Sequence, residues 1–430
     1  MNDLVIQDVE RTWVSVPLKP RHARHLTREN WDWTVFEILR LHTNSELIGY
    51  GETMCYYTWG LVPQAQVDRV LGHSPFEFFW DDRLGAGLQM AIYDLAGKAM
   101  GVPCYKLLGP KVRDWCPVSW WTNDMSTEDW VAEIREALSL GYMSAKLKAR
   151  PWRDFVAQIE TLAQITPPDF RFDADFNGFL RDASSAVPYL LELEETPAVA
   201  LFESPLPQED AAGNAILRGK ITRAVAMHYG SPPIETAIRE EVCDGFVIGG
   251  GAHMLRQQAG LAAQFNKPFF LQLVGTGLTT AFSLHFGATL THATWPAVTC
   301  HEIYEDDLLT ERIAIHDGYA HVPEAPGLGI EPDEEAIARY RVEPGYAPPP
   351  PCNLYRVTWP SGAQVTYPVS KRGTPLSLGV CGVWDDFAQG NQPLFHRGVR
   401  LDIIPDDGSA EWADLARRAQ QGPVRGWKGV

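Results

Sequence analysis

Residues 144–148 read Ser-Ala-Lys-Leu-Lys, residues 171–177 read Arg-Phe-Asp-Ala-Asp-Phe-Asn, and residues 198–205 read Ala-Val-Ala-Leu-Phe-Glu-Ser-Pro. Each is a short apolar run that ends in charge. Alternation along a strand puts Lys146 and Lys148 on one side of the first run. Runs of the same kind recur at Val118–Trp121, Ala224–Met227, Gly245–Ile248, Phe269–Leu271 and Ala297–Cys300. The steps are roughly 20 to 30 residues, and most hold an amphipathic stretch such as Phe155–Ile165 or His253–Phe265. Eight strands separated by helices predict a parallel α/β barrel, because each parallel neighbour needs a helical crossover. An open doubly wound sheet is the alternative. Gly249–Gly250–Gly251 lacks the glycine spacing of a dinucleotide loop, so nothing supports it.

Outside the barrel the pattern differs. The N-terminal part opens with strand-like runs at Leu4–Val16 and Thr34–His42, a turn at Asn44–Ser45–Glu46 and a return through Leu47–Gly51. Helical periodicity follows in Leu88–Ala99. After the run Pro348–Pro351, alternating Tyr355, Val357 and Trp359, a turn at Pro360–Ser361–Gly362 and alternating Val365 and Tyr367 predict a β-hairpin. A last helix is expected over Ala410–Ala419. The expected division is an α+β capping domain over residues 1–115, a barrel over 116–345 and a β-rich extension over 346–430 that packs on the capping domain.

The 430 residues carry a net charge of −17 with no run of Lys or Arg, which argues against nucleic-acid or anionic-membrane partners. Seven scattered cysteines, no basic-apolar leader and no long apolar run predict a cytoplasmic protein with reduced thiols. A small-molecule substrate and a homo-oligomeric state are expected.

In a parallel barrel, the polar residues at the C-terminal strand ends form the active site. Those ends supply Lys146 and Lys148, Asp173 and Asp175 followed by Asn177, then Glu203, His228, Gln272, and finally His301 and Glu302. Acids from consecutive strands beside a lysine pair suit a hard divalent cation. Such a cation would hold a substrate carboxylate, and a lysine would take the weakly acidic proton next to it. A glycosidase with Asp175 and Glu203 as its two carboxyls is a competing reading.

Lys-x-Lys, Asp-x-Asn and Glu-x-Pro in this order resemble the barrel motifs of the enolase superfamily, in its mandelate racemase/muconate lactonising subgroup. Ala91–Lys98 with Leu107–Gly109 resembles that family's last capping helix, and Pro326–Glu331 its post-barrel segment. The resemblance covers roughly residues 4–340. It implies a (β/α)7β-type modified barrel with an α+β capping domain, the extension being additional. It makes Asp175 and Glu203 metal ligands, Asn177 their neighbour, Lys148 the base, Lys146 the partner of the substrate carboxylate and Glu302 a late-strand acid. His301 is the alternative acid.

Two positions depart from the family. His228 stands where the third ligand is an acid, so Mg²⁺, implied by the family, competes with Mn²⁺, Fe²⁺ or Zn²⁺. Gln272 stands where racemases carry a histidine, and Gly245 is aligned to the sixth-strand catalytic position. One-face chemistry on Lys148 is therefore expected, of the acid-sugar dehydratase type. An epimerase, racemase or cycloisomerase on the same enolate, and a scaffold that has lost its chemistry, are the alternatives. Substrate contacts are expected from Asn177, Gln272 and two capping loops, with His22 and Arg24 in the first and Tyr56 and Trp59 in the second.

Overall fold

The computed structural model describes residues 4–26, 30–57, 59–368 and 382–427. Its N-terminal part is an antiparallel meander of Ile6–Ser15, Val35–Thr43 and Ile48–Met54. The helix Ala86–Met100 lies on this sheet, close enough that a Cβ on Gly51 would stand 2.0 Å from the Gly87 carbonyl oxygen. Only glycine permits such backbone contact.

The two motifs outside the barrel meet at one carboxylate. Asp94 Oδ2 accepts from Tyr50 N at 2.8 Å and from Lys98 Nζ at 2.6 Å, while Oδ1 accepts from Leu328 N at 2.7 Å. Gly327 passes this point at φ +77°, where a Cβ would sit 2.2 Å from Asp94 Oδ1. The motif residues thus tie capping helix, capping sheet and post-barrel segment together. His285 is buried in the same region, with Nε2 3.0 Å from the Leu328 carbonyl.

The barrel has seven parallel strands in sequential order: Trp120–Trp121, Ser144–Lys148, Arg171–Asp175, Val199–Glu203, Ala224–His228, Gly245–Ile248 and Phe269–Leu271. The expected eighth, Ala297–Cys300, is reduced to parallel bridges Val118↔Ala297 and Gln272↔Val298, which close the ring. Pro117 and Pro296 flank this closure and have no N–H for a longer ladder. Four successive barrel helices start under caps visible in the sequence: Ser126, Asp154, Asp182 and Asp210 each accept from the backbone N–H three residues on. The fold is the modified TIM barrel with a capping domain.

The extension is a four-stranded antiparallel sheet built around the predicted hairpin, now Asn353–Thr358 and Ala363–Pro368, with Ala410–Ala419 helical. Its main contacts correct the expected docking. Phe387 meets Trp152 edge-on at 5.5 Å, Phe395 meets Tyr189 at 4.9 Å, and Arg397 reaches Asp154, Glu160 and Glu192. All these partners belong to the barrel. The N-terminal part contributes the Leu26 carbonyl, which accepts from the Tyr355 hydroxyl. Apolar side chains in the segments after the second and third barrel strands, Trp152 and Tyr189, draw the extension there.

Candidate active site

Parallel register sets the site. Lys148 is paired with Asp175, and Asp175 with Glu203, across three neighbouring strands. Lys148 Nζ donates to Asp175 Oδ2 at 2.5 Å, and Lys146 Nζ lies 2.6 Å from Glu203 Oε2 and 3.6 Å from Asp175 Oδ2. Burial works against the Lys146 charge, but Glu203 and Asp175 hold its pKa above the ordinary value. Lys148 goes the other way. Burial lowers it, and Lys146 and Arg150 add to that, against the pull of Asp175. The two amines, two residues apart, are thereby made different: one a fixed cation, the other a readier base. Asp175 is kept below the usual carboxylate range: burial opposes this, but Lys148, Lys146 and Arg150 outweigh it. Asp173, one pleat deeper, is pushed by burial up to about 7.

His228 stands only partly where the resemblance placed it. Its Nε2 is 3.3 Å from Glu203 Oε1, and its side chain is 40% exposed. Among the described residues no three His, Cys, Asp or Glu side chains are gathered to hold a metal ion. In this arrangement the lysine ammoniums stand against Asp175 and Glu203, and His228 Nε2 contacts Glu203 Oε1. The carboxylate pair itself still fits a hard cation. Both groups are buried and adjacent in register, and neither Glu203 oxygen accepts a hydrogen bond of normal geometry.

Around this core the mouth is aromatic. Lys148 Nζ lies 5.6 Å from the ring centroid of Trp121, which packs against Trp33, and Trp33 against Tyr57 at 4.4 Å. Trp33 and Tyr57 bring both capping loops to the first strand. Trp59 and Gln272 line a neighbouring cavity of about 70 Å³, and Gln272 Oε1 accepts from Lys146 at 2.8 Å. Asn177 is held by Arg150, which donates to its Oδ1 at 2.8 Å and to the Asp175 carbonyl at 3.2 Å. Arg150 had no signal in the sequence, because it lies beyond the strand end, where alternation no longer tells direction.

Several expected residues are elsewhere. His22 is buried between Glu133 and Asn123, and Arg24 lies 3.4 Å from Asp129, so both serve the acidic face of helix Thr127–Ser139. The Tyr56 hydroxyl donates to the Tyr346 carbonyl, with its ring edge-on to Trp13. Gly245 begins the sixth strand rather than ending it; the mouth end carries Gly249–Gly251 and offers no side chain. Glu302 and His301 leave the barrel altogether. Cys300 adopts φ +61°, and the chain then runs into a short helical turn whose His301 and Glu302 line a separate cavity on the barrel flank.

The model of the enolase C-terminal domain-like family matches residues 129–336. D-xylonate dehydratase of Haloferax volcanii is 24% identical over 374 residues, covering 73% of this chain and 86% of that protein. Muconate cycloisomerase 1 of Pseudomonas putida is 25% identical over 273 residues, covering 59% and 71%. Among solved structures, muconate cycloisomerase from Pseudomonas fluorescens superposes with a TM-score of 0.64 at 22% identity, over 79% of this chain and 99% of that one. An enolase from Mycobacterium smegmatis complexed with tartrate gives 0.67 at 21%, over 80% and 96%. At such identities the solved structures speak for the fold, and the family match covers most of the barrel. The family match and these relatives support an enolase-superfamily chain similar to the mandelate racemase/muconate lactonising type.

Proposed function

We propose that this protein abstracts the proton α to a carboxylate and acts as a lyase that dehydrates an acid sugar. The observation that carries this reading is the unequal lysine pair of the second strand, set against Asp175 and Glu203. The two carboxylates would hold a divalent cation, Mg²⁺ by family habit. Bound there, it supplies Lewis-acid stabilisation of the charge that develops on the substrate carboxylate. Lys146, the permanent ammonium, binds a carboxylate oxygen. Lys148 takes the α-proton, and the electron pair moves into the enolate. The β-hydroxyl then leaves as water with a proton that Lys148, on the same face, returns. Ketonisation of the enol gives a 2-oxo-3-deoxy acid.

A cycloisomerase is the second reading, favoured by the muconate cycloisomerases among the relatives. Two-base racemisation is disfavoured. Gln272 has no titratable proton and is engaged by Lys146, and glycines occupy the sixth-strand end. The test is a product screen of acid sugars and muconates. Release of 2-oxo-3-deoxy acids supports the dehydratase, lactones from muconates support the cycloisomerase, and product from neither library rejects both.

His228 gives a separate prediction. His228→Glu adds a third carboxylate beside the pair, so Mg²⁺ should bind at least roughly tenfold more tightly, with less gain for softer ions. Calorimetric titration of both proteins measures this. Unchanged Mg²⁺ affinity would show that no cation sits next to Glu203.

A further inference from the structure

The flank cavity left over by this mechanism has a chemistry of its own. It encloses about 490 Å³, within the range of small-molecule sites, and lies outside the barrel between the first-strand Trp120 and the turn at His301–Ile303. Glu302 lines it, 6% exposed, and its Oε2 has no hydrogen-bond partner. The carboxyl is served by the Tyr142 hydroxyl and lies 3.6 Å from His301 Nδ1, while burial pushes it up to about 7 and His301 down to about 4. A buried acceptor without a donor costs free energy until a donor arrives.

The other charges of the cavity have partners. Lys19 Nζ is 2.7 Å from Glu136, and Arg312 lies 3.8 Å from Asp307. Glu302 is the carboxyl with no Lys or Arg partner. Residues 138–141, at the carbonyl end of helix Thr127–Ser139, form another wall and add partial negative charge. Trp120, Tyr142 and Tyr304 supply aromatic surface.

We propose that this cavity is a second binding site, for a small primary ammonium on an apolar or aromatic body, with Glu302 Oε2 as the acceptor of its N–H. The ammonium meets the unmatched carboxyl and the helix carbonyl end, and the body packs on the aromatic walls. Such a ligand would lie one residue from the active site on the first strand, since Trp120 lines the cavity and Trp121 faces Lys148.

Benzylamine is the probe, with benzyl alcohol and benzoate as its neutral and anionic counterparts, titrated by saturation-transfer NMR. The expected result is saturable binding of benzylamine in preference to both, weakened roughly tenfold or more in Glu302→Gln and unchanged in Asp175→Asn. Equal binding by Glu302→Gln, preference for benzoate or benzyl alcohol, or no saturable binding to the wild-type protein would each overturn the proposal. Melting curves give an independent check. Glu302→Gln replaces the one carboxyl oxygen that lacks a donor, so the ligand-free variant should melt at or above the wild-type temperature. A clearly lower value would mean that the carboxyl is already satisfied, and would also overturn it.

Discussion

Replacing Lys148 by Met should slow α-proton exchange of the substrate by about 10²- to 10⁴-fold, the usual contribution of a positioned general base. The thioether keeps most of the chain length against Trp121 but carries no proton. Lys146→Met should act differently, raising KM for the carboxylate, because Lys146 stays an ammonium between Glu203 and Asp175. Isotope exchange followed by NMR in D₂O separates the two. Equal exchange by wild type and Lys148→Met would assign the base elsewhere.

The second large effect concerns stability. Glu133 is buried, accepting from Arg21 Nε at 2.5 Å, His22 at 3.0 Å and Trp120 Nε1 at 3.1 Å. Glu133→Ala leaves the buried His22 and the Trp120 Nε1–H without their shared acceptor and removes one of the two carboxylates of Arg21, Glu136 being the other. It should cost about 1–3 kcal/mol in denaturant unfolding at pH 7. Burial alone would raise this carboxyl, but His22 and Arg21 hold it at about 2. The folded value is depressed, so its stabilisation is complete above the ordinary carboxylate range and is lost as pH falls towards 2. The gap between wild type and Glu133→Ala should therefore narrow from pH 6 to pH 3. A gap that is constant with pH would show that Glu133 acts only by packing.

The sequence carries the barrel because strand runs, helix periods and caps are local signals, and all three recur at one spacing. Lys148, Asp175 and Glu203 are legible for the same reason: alternation and register place strand residues without any knowledge of the rest of the chain. The misreadings lie where direction is set by tertiary contacts. His22 and Arg24 look like a basic substrate loop until helix Thr127–Ser139 shows its acids, Glu133, Glu136 and Asp129. Glu302 continues the eighth strand on paper, yet the left-handed turn at Cys300 carries it to the flank. Gly245 lies one strand-length short of the mouth, where Gly249–Gly251 carry no side chain to mark the position.

The most direct test of the central claim is loss of the α-proton NMR signal of acid sugars in D₂O, with wild-type protein loaded with Mg²⁺ and again after chelation. The account predicts deuterium at the α-position of at least one carboxylate with the loaded protein, and little with the stripped protein. No exchange from any carboxylate tested, or equal exchange after chelation, would contradict proton abstraction at a cation site formed by Asp175 and Glu203.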